Sequence, residues 1–210
     1  MPPLLDRITP LDTLSLASRR VLVRVDFDAP LGRDGAVSDD ARVREALPTL
    51  QHLVAQGARV VVASHLGRPR KGFNAAQSLA APGERLAELL SMDIALTDEC
   101  VGDGARKVVH DLRDGRVALL ENLRFHPGEE SGDDGFAGEL ARLCDVYVND
   151  DFRHAHLPWA SVAALPKLVP LRAPGLRMMK ELKALSALSA PARPFVVALG
   201  GDSLSARAPS

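Results

Sequence analysis

VVVASHLGRP, residues 60–69, is the stretch that decides how this chain is read. VVVA is an unbroken, β-branched run of strand length. Such runs belong to strands covered on both faces, which are the strands of parallel sheets. The run gives out on Ser64, His65, Gly67 and Arg68, so polar groups stand at the carboxyl end of the strand, where open α/β sheets bind ligands. A second string, LLENLRFH at 119–126, repeats the pattern and delivers Arg124 and His126 at the end of another apolar run. His65, Arg68, Arg124 and His126 are therefore expected to project together from one rim. Cationic forks converging there suit a small anion carrying a carboxylate, a phosphate or both, because a guanidinium meets planar oxyanions in a bidentate way.

Outward from these strings, apolar runs of strand length alternate with segments of helical period, the pattern of βαβ units. Strands are predicted near 20–26, 58–63, 92–96, 116–120 and 145–149. Ser38 is expected to cap a helix with Asp39 and Asp40 in its opening turn, carried by Val43, Leu47, Leu50 and Val54 and kinked at Pro48. Ser78 is expected to precede a second helix through Leu79, Leu86, Leu89 and Leu90, and a third spans about 135–143. Right-handed crossovers then give an α/β fold, a Rossmann-like three-layer αβα sandwich with a mainly parallel sheet. Pro174 and Gly175 open a further helical stretch, RMMKELKALSALS at 177–189, and FVVALGG at 195–201 follows as a strand without a visible neighbour. The tail after it, DSLSARAPS, has the composition of a flexible end.

With 210 residues, 46% of them hydrophobic, the chain can bury one sizeable core plus an appendage. A net charge of -1 argues against general nucleic-acid or membrane-surface binding, so the basic site must be local. Cys100 and Cys144 lack metal or CxxC spacing and read as core thiols of a reducing compartment. The start, MPPLLDRITPLDTL, lacks the unbroken apolar stretch of a signal peptide, and a cytoplasmic location is expected. His154 and His156 without a third nearby ligand read as loop hydrogen-bonding groups, so no metal site is expected, and Trp159 reads as a packing residue.

Six strings now stand in order: VLVRVDFDAPL at 21–31, DDARVREALPTL at 39–50, VVVASHLGRP at 60–69, LLENLRFHPGEE at 119–130, DVYVNDDF at 145–152 and FVVALGG at 195–201. In this order they resemble the amino-terminal half of phosphoglycerate kinase. The resemblance implies a 3-phosphoglycerate-binding domain over 1–172, a connecting helix over 173–190, and in 191–210 the remnant first strand of an absent nucleotide domain. It implies that Asp26 accepts a hydrogen bond from the substrate hydroxyl, that Asp28 stands beside it, and that His65, Arg68 and Arg124 hold the phosphate and carboxylate. Arg42 would steady the phosphoryl group in flight. Phosphoryl transfer asks for positioning and charge neutralisation more than covalent chemistry, so no protein nucleophile is needed. The family uses Mg-ATP and Mg-ADP. Gly200, Gly201 and Arg207 match cofactor-binding positions there, yet no nucleotide is expected to bind this chain alone.

The departures are specific. Asp28 stands where the family has asparagine, and a second negative charge about 5 Å from an anionic ligand costs roughly 2 to 4 kcal/mol per charge pair at an intermediate dielectric. Leu157 replaces a substrate-binding arginine, with Arg153 or His154 as candidates to substitute, and Ser203 replaces a lysine that meets the transferred phosphoryl group. The chain is accordingly expected to be a substrate-binding half, weak or inactive alone in the glycolytic transfer between 1,3-bisphosphoglycerate and ADP, with a separate nucleotide-domain partner docking on its orphan strand. Two alternatives stand beside this: a non-catalytic binder of acidic metabolites or of a partner, and a magnesium-dependent phosphatase resembling the haloacid dehalogenase type. In the latter Asp26 is the nucleophile, Asp28 the acid or base, and Asp150 with Asp151 the metal holders.

Overall fold

The computed structural model describes residue 5 and residues 8–69, 72–189 and 191–197. Its frame is a six-stranded sheet in the order β3-β4-β2-β1-β5-β6, every pairing parallel. The strands are β1 (Arg20–Arg24), β2 (Arg59–Ala63), β3 (Ile94–Leu96), β4 (Val117–Leu119), β5 (Val146–Asn149) and β6 (Leu171–Pro174). Helices α1 (Ala41–Ala55), α2 (Ala80–Leu90), α3 (Asp103–Asp111), α4 (Gly128–Ser131), α5 (Asp134–Ala141), α6 (Leu165–Leu168) and α7 (Leu176–Ser186) connect and follow them. The α/β class and the parallel sheet are as the sequence predicts.

Strand alternation explains the three layers. Val21, Val23, Val60, Val62, Val117 and Leu119 face one side and meet Val43, Leu50 and Leu53 of α1 and Leu86 of α2. Leu22, Val61, Ala63, Ala118 and Tyr147 face the other and meet Val109 of α3 and Phe136 and Leu140 of α5. Successive side chains of a strand point to opposite faces, so runs that are apolar at every position need cover on both. Both cysteines are free and lie inside, and burial pushes each thiol up to about 12.

Several local expectations are corrected. Helix α1 starts at Ala41, so Asp39 and Asp40 precede its first turn. Asp39 accepts from the Ala41 amide, Asp40 bridges Arg44 (2.8 Å) and Arg85 (2.6 Å), and the Ser38 hydroxyl donates to the Pro30 carbonyl. Ser38 thus closes a loop onto Pro30, and the N-cap position of α1 falls to Asp40, whose carboxylate goes to the two arginines rather than to the helix amides. Pro48 lies inside α1, which continues to Ala55. Ser78 does act at the start of α2, where its Oγ accepts from the Ala80 amide.

Four elements were not foreseen: α3, the single-turn helices α4 and α6, and β6. DGARKVVHD of α3 is short and mostly polar and buries only Ala105 and Val109, so it has little apolar mass to stand out. LRAP of β6 is four residues long, ends on proline and sits at the sheet edge, where a missing N–H is tolerated. The expected boundary between residues 172 and 173 falls inside this strand. Helix α7, the expected connecting helix, lies on α1: the Leu176 amide donates to Thr49 Oγ1 and Arg177 pairs with Glu45 at 2.7 Å. Residues 195–197 are exposed and form no strand, and the rest of the expected strand lies outside the described residues. Among the described residues no helix is long and apolar enough to cross a membrane.

Candidate functional site

The carboxyl ends of β1, β2, β4 and β5 meet on one rim, and short-range bonds between their loops set it. Ser64, just past β2, accepts from the Phe27 amide and donates to the Val25 carbonyl, both at 2.8 Å, which ties the DFD loop to the SHLGRP loop. Asn122, just past β4, donates from Nδ2 to the carbonyls of Leu66 (2.7 Å) and Gln77 (2.8 Å). Gly67 takes φ +61°, and a side chain there would also run into Gln77. Glycine adopts that conformation without the usual Cβ penalty, so the turn between His65 and Arg68 can be this tight.

Asp26, fully buried at its side chain, accepts through both carboxylate oxygens from Arg42 Nη1, each at 3.1 Å, and its Oδ2 lies 3.5 Å from Arg153 Nε. Asp28 Oδ1 accepts from the Gly67 amide at 2.7 Å, and its Oδ2 lies 3.5 Å from Arg42 Nη1. Arg124 donates from Nη1 to the Gly67 carbonyl at 2.5 Å and sits 3.0 Å from Glu130. Its guanidinium carbon stands 4.6 Å from the centre of the Trp159 ring. Burial, with Arg24 and Arg68 nearby, lowers the Arg124 pKa from its ordinary value against the opposing influence of Glu130 and Asp28. Arg68 itself is exposed. Arg42, His65, Arg68 and Arg124 are therefore brought to one rim.

His126 is the exception among the sequence candidates. Its ring stacks on Phe136 at 4.0 Å and its Nδ1 accepts from the Gly128 amide, so it caps a turn and packs. Glu45, on the same helix as Arg42, is held by Arg177, and Arg42 reaches the two aspartates. Asp28 gives one carboxylate oxygen to a loop amide and sets the other beside Arg42.

Beneath the rim lies a buried network that the strand pattern only hinted at. Arg24, an arginine inside an apolar strand, is fully buried; it lies 3.1 Å from Asp151, donates to Ser161 Oγ and reaches His65 Nδ1 at 3.0 Å. Ser161 in turn donates to buried Glu129 from its amide at 3.0 Å and from its hydroxyl at 2.5 Å. Because a guanidinium can only donate, His65 Nδ1 accepts and the ring proton sits on Nε2. That Nε2 is buried without a partner. Burial first, then the charges of Arg24 and Arg124, hold the His65 pKa far below the usual imidazole value, so the ring is neutral. A buried donor left unpaired is a costly arrangement, and an anion in the rim would relieve it.

His154, expected to make loop hydrogen bonds, donates from Nδ1 to Asp151 at 2.9 Å. Its ring stacks on Trp159 at 5.1 Å and meets the His65 ring edge-on at 4.5 Å. Trp159, read as packing alone, thus touches Arg124 and His154 and lies 5.8 Å from His65. Its sequence signal was slight: the single tryptophan, three residues after a second histidine in the loop past β5.

Ligand atoms of Asp26, His65 and His154 lie within 4.8 Å of one another, a grouping that could be considered for a metal ion. The surroundings argue otherwise. Arg42 and Arg153 already face Asp26, and Arg24 occupies the His65 nitrogen opposite the one turned inward. Guanidinium charges at these distances repel a cation and attract an anion. The phosphatase alternative is likewise not supported. Asp151 is turned inward to Arg24, and Asp150 accepts from the Met178 amide, with its pKa raised by burial, so neither joins Asp26.

This is a Rossmann-like α/β protein whose sheet rim gathers several arginines beside a neutral, buried histidine. The sequence profile described as phosphoglycerate kinase matches residues 11–208, so the chain belongs to the phosphoglycerate kinase family. Phosphoglycerate kinases of Anaeromyxobacter sp. (strain K) and Acaryochloris marina are 52% identical over 93% of this chain and 43% identical over 95% of it. Each is covered over 50% of its own length, so the chain spans about half the length of the curated relatives it matches. The solved phosphoglycerate kinase of Coxiella burnetii superposes with a TM-score of 0.80 at 34% identity, covering 89% of this chain and 46% of that one. The Pyrococcus horikoshii enzyme superposes with a TM-score of 0.77 at 30% identity, covering 86% of this chain and 45% of that one.

Proposed function

We propose that this chain is the 3-phosphoglycerate-binding half of a phosphoglycerate kinase. The observation that carries the reading is the gathering of cations at one rim: Arg42 and Arg153 on Asp26, Arg68 beside Arg124, and Arg42 and Arg124 close to His65, whose buried Nε2 has no partner. In this reading Arg68, Arg124 and the His65 Nε2–H take the phosphate and carboxylate oxygens. Asp26 accepts from the substrate hydroxyl, and Arg42 leaves the aspartates to neutralise the phosphoryl group in transit. Arg153 supplies a further fork from the loop that carries Leu157. Positioning and charge neutralisation are what phosphoryl transfer needs from this half, the substrate carboxylate being itself the attacking group.

The magnesium nucleotide belongs to the other half of the reaction. Gly200, Gly201 and Arg207, the positions matching its holders, lie outside the described residues, as does Ser203. These 210 residues by themselves are expected to bind substrate without turnover.

Calorimetric titration with 3-phosphoglycerate tests the reading. Binding is expected, and Arg68→Ala should weaken it roughly 10- to 100-fold, the loss of one charge-assisted contact. Absent binding, or binding indifferent to Arg68→Ala, overturns the proposal. ATP formation from 1,3-bisphosphoglycerate and ADP at ordinary kinase turnover overturns its second part.

A further inference from the structure

Arg124 is nearly buried, yet its partners leave part of its donor edge unused: Nη1 is spent on the Gly67 carbonyl, and Nε lies 3.0 Å from Glu130 without a hydrogen bond. A carboxylate could hold such a group only by taking up donors that an incoming oxyanion needs. An aromatic face holds it differently, through the ring quadrupole, and fixes the guanidinium plane while leaving N–H groups free. Trp159 offers that face at 4.6 Å. The same indole stacks on His154 at 5.1 Å, with the two planes 20° apart, and meets the edge of His65 at 5.8 Å. His154 is anchored at its other end by Asp151 and His65 by Arg24, so the indole is braced by two rings whose own partners are buried.

We propose that Trp159 is a positioning residue of the anion rim, its indole holding the Arg124 guanidinium in the plane and place needed to receive the phosphate of the substrate. The inference rests on the 3-phosphoglycerate reading for the identity of the anion, but the stacking itself can be read without any ligand. Trp159 does not touch the anion; it acts through Arg124.

The experiment uses the whole chain, whose single tryptophan is also its reporter. Trp159→Ala is expected to weaken 3-phosphoglycerate binding about 5- to 30-fold, the span of a cation–π contact, and Trp159→Phe to restore most of it. The decisive arm is a double-substitution cycle. If Trp159 acts through Arg124, Trp159→Phe and Trp159→Ala change affinity little once Arg124→Ala is present, whereas a merely structural role leaves the two losses additive. Additive losses overturn the proposal. Should Trp159→Ala not fold, as thermal melting would reveal, the phenylalanine and leucine variants run through the same cycle. A separate ligand-free arm follows Trp159 emission and its quenching by acrylamide in the wild-type and Arg124→Ala chains. Removing the guanidinium that covers the ring is expected to increase quenching, and unchanged quenching overturns the stacking. If the wild-type chain binds no 3-phosphoglycerate, the substrate reading fails, and the ligand-free arm still decides the positioning of Arg124.

Discussion

Substituting Asp28 by asparagine should tighten anion binding, and the structure sets the size of the gain. Asp28 Oδ2 lies 3.5 Å from Arg42 Nη1, and both side chains are about one-third exposed, at 34% and 28%. At that distance an effective dielectric of about 40 to 80 gives an attraction of about 1 to 2.5 kcal/mol. Side-chain ordering and salt reduce the net value of a part-exposed pair to about 0.5 to 1 kcal/mol. Arg42 must give up that much to turn towards a ligand. The aspartate also repels the anion directly, which adds about 1 kcal/mol for one charge pair at ~5 Å under similar screening. Together these predict that Asp28→Asn binds 3-phosphoglycerate roughly 10- to 30-fold more tightly at low salt. Asparagine keeps an oxygen to accept from the Gly67 amide, so the SHLGRP loop stays in place. Alanine loses that acceptor, leaves the amide short of a partner and gives back about 1 kcal/mol of the gain. Calorimetry at two ionic strengths is the assay, and the gap between wild type and Asp28→Asn should narrow as salt screens the charges. A folded Asp28→Asn chain that binds no better than wild type at low salt would refute the electrostatic account of this rim.

Two further outcomes concern stability. His65 is neutral in the folded chain, its pKa lowered by burial and by Arg24, while the unfolded chain takes up a proton near the ordinary 6.5. Its contribution is therefore complete above that pH and is lost as pH falls below it, at a slope approaching about 1.4 kcal/mol per unit. His65→Gln should remove the slope. Urea midpoints of both chains at pH 7 and 5 check this, since other titrating groups such as Asp150 cancel in the difference, and equal slopes would contradict the buried neutral imidazole. In Gly175→Ala the added carbon would fall on the Asp150 carboxylate, 2.7 Å from its Cβ, and would displace an acceptor of the Met178 amide. A loss of about 1 to 3 kcal/mol is expected by chemical denaturation, and a loss under about 0.5 kcal/mol would show that α7 adjusts freely against β5.

The fold class and the sites of the cationic residues could be read from the chain alone because both rest on local pattern. Val60–Ala63 is apolar at every position, and that composition requires cover on both faces wherever the strand lies. Ser64, His65 and Arg68 stand at its end by adjacency, and adjacency also put Arg124 at the end of β4. Elements lacking that pattern were missed. α3 is nine residues long and mostly polar, burying only Ala105 and Val109, and β6 is a four-residue edge strand ending on proline, so neither carries the apolar run that marks the other elements.

Tertiary structure decided which charges are spent and which remain for a ligand. Asp28 reads as an added negative charge until its partner across 39 residues, the Gly67 amide, comes into view. His126 reads like His65, yet one stacks on Phe136 and the other keeps an unpaired Nε2–H inside the rim. Trp159 gains its place over Arg124 only when the loop past β5 folds against the loop past β4. The sequence by itself determined what kind of groups sit at each strand end, because that depends on neighbours along the chain. Their partners, protonation and aim depend on strand order and on burial, and those exist only once the crossovers have brought four separate strand ends to one edge.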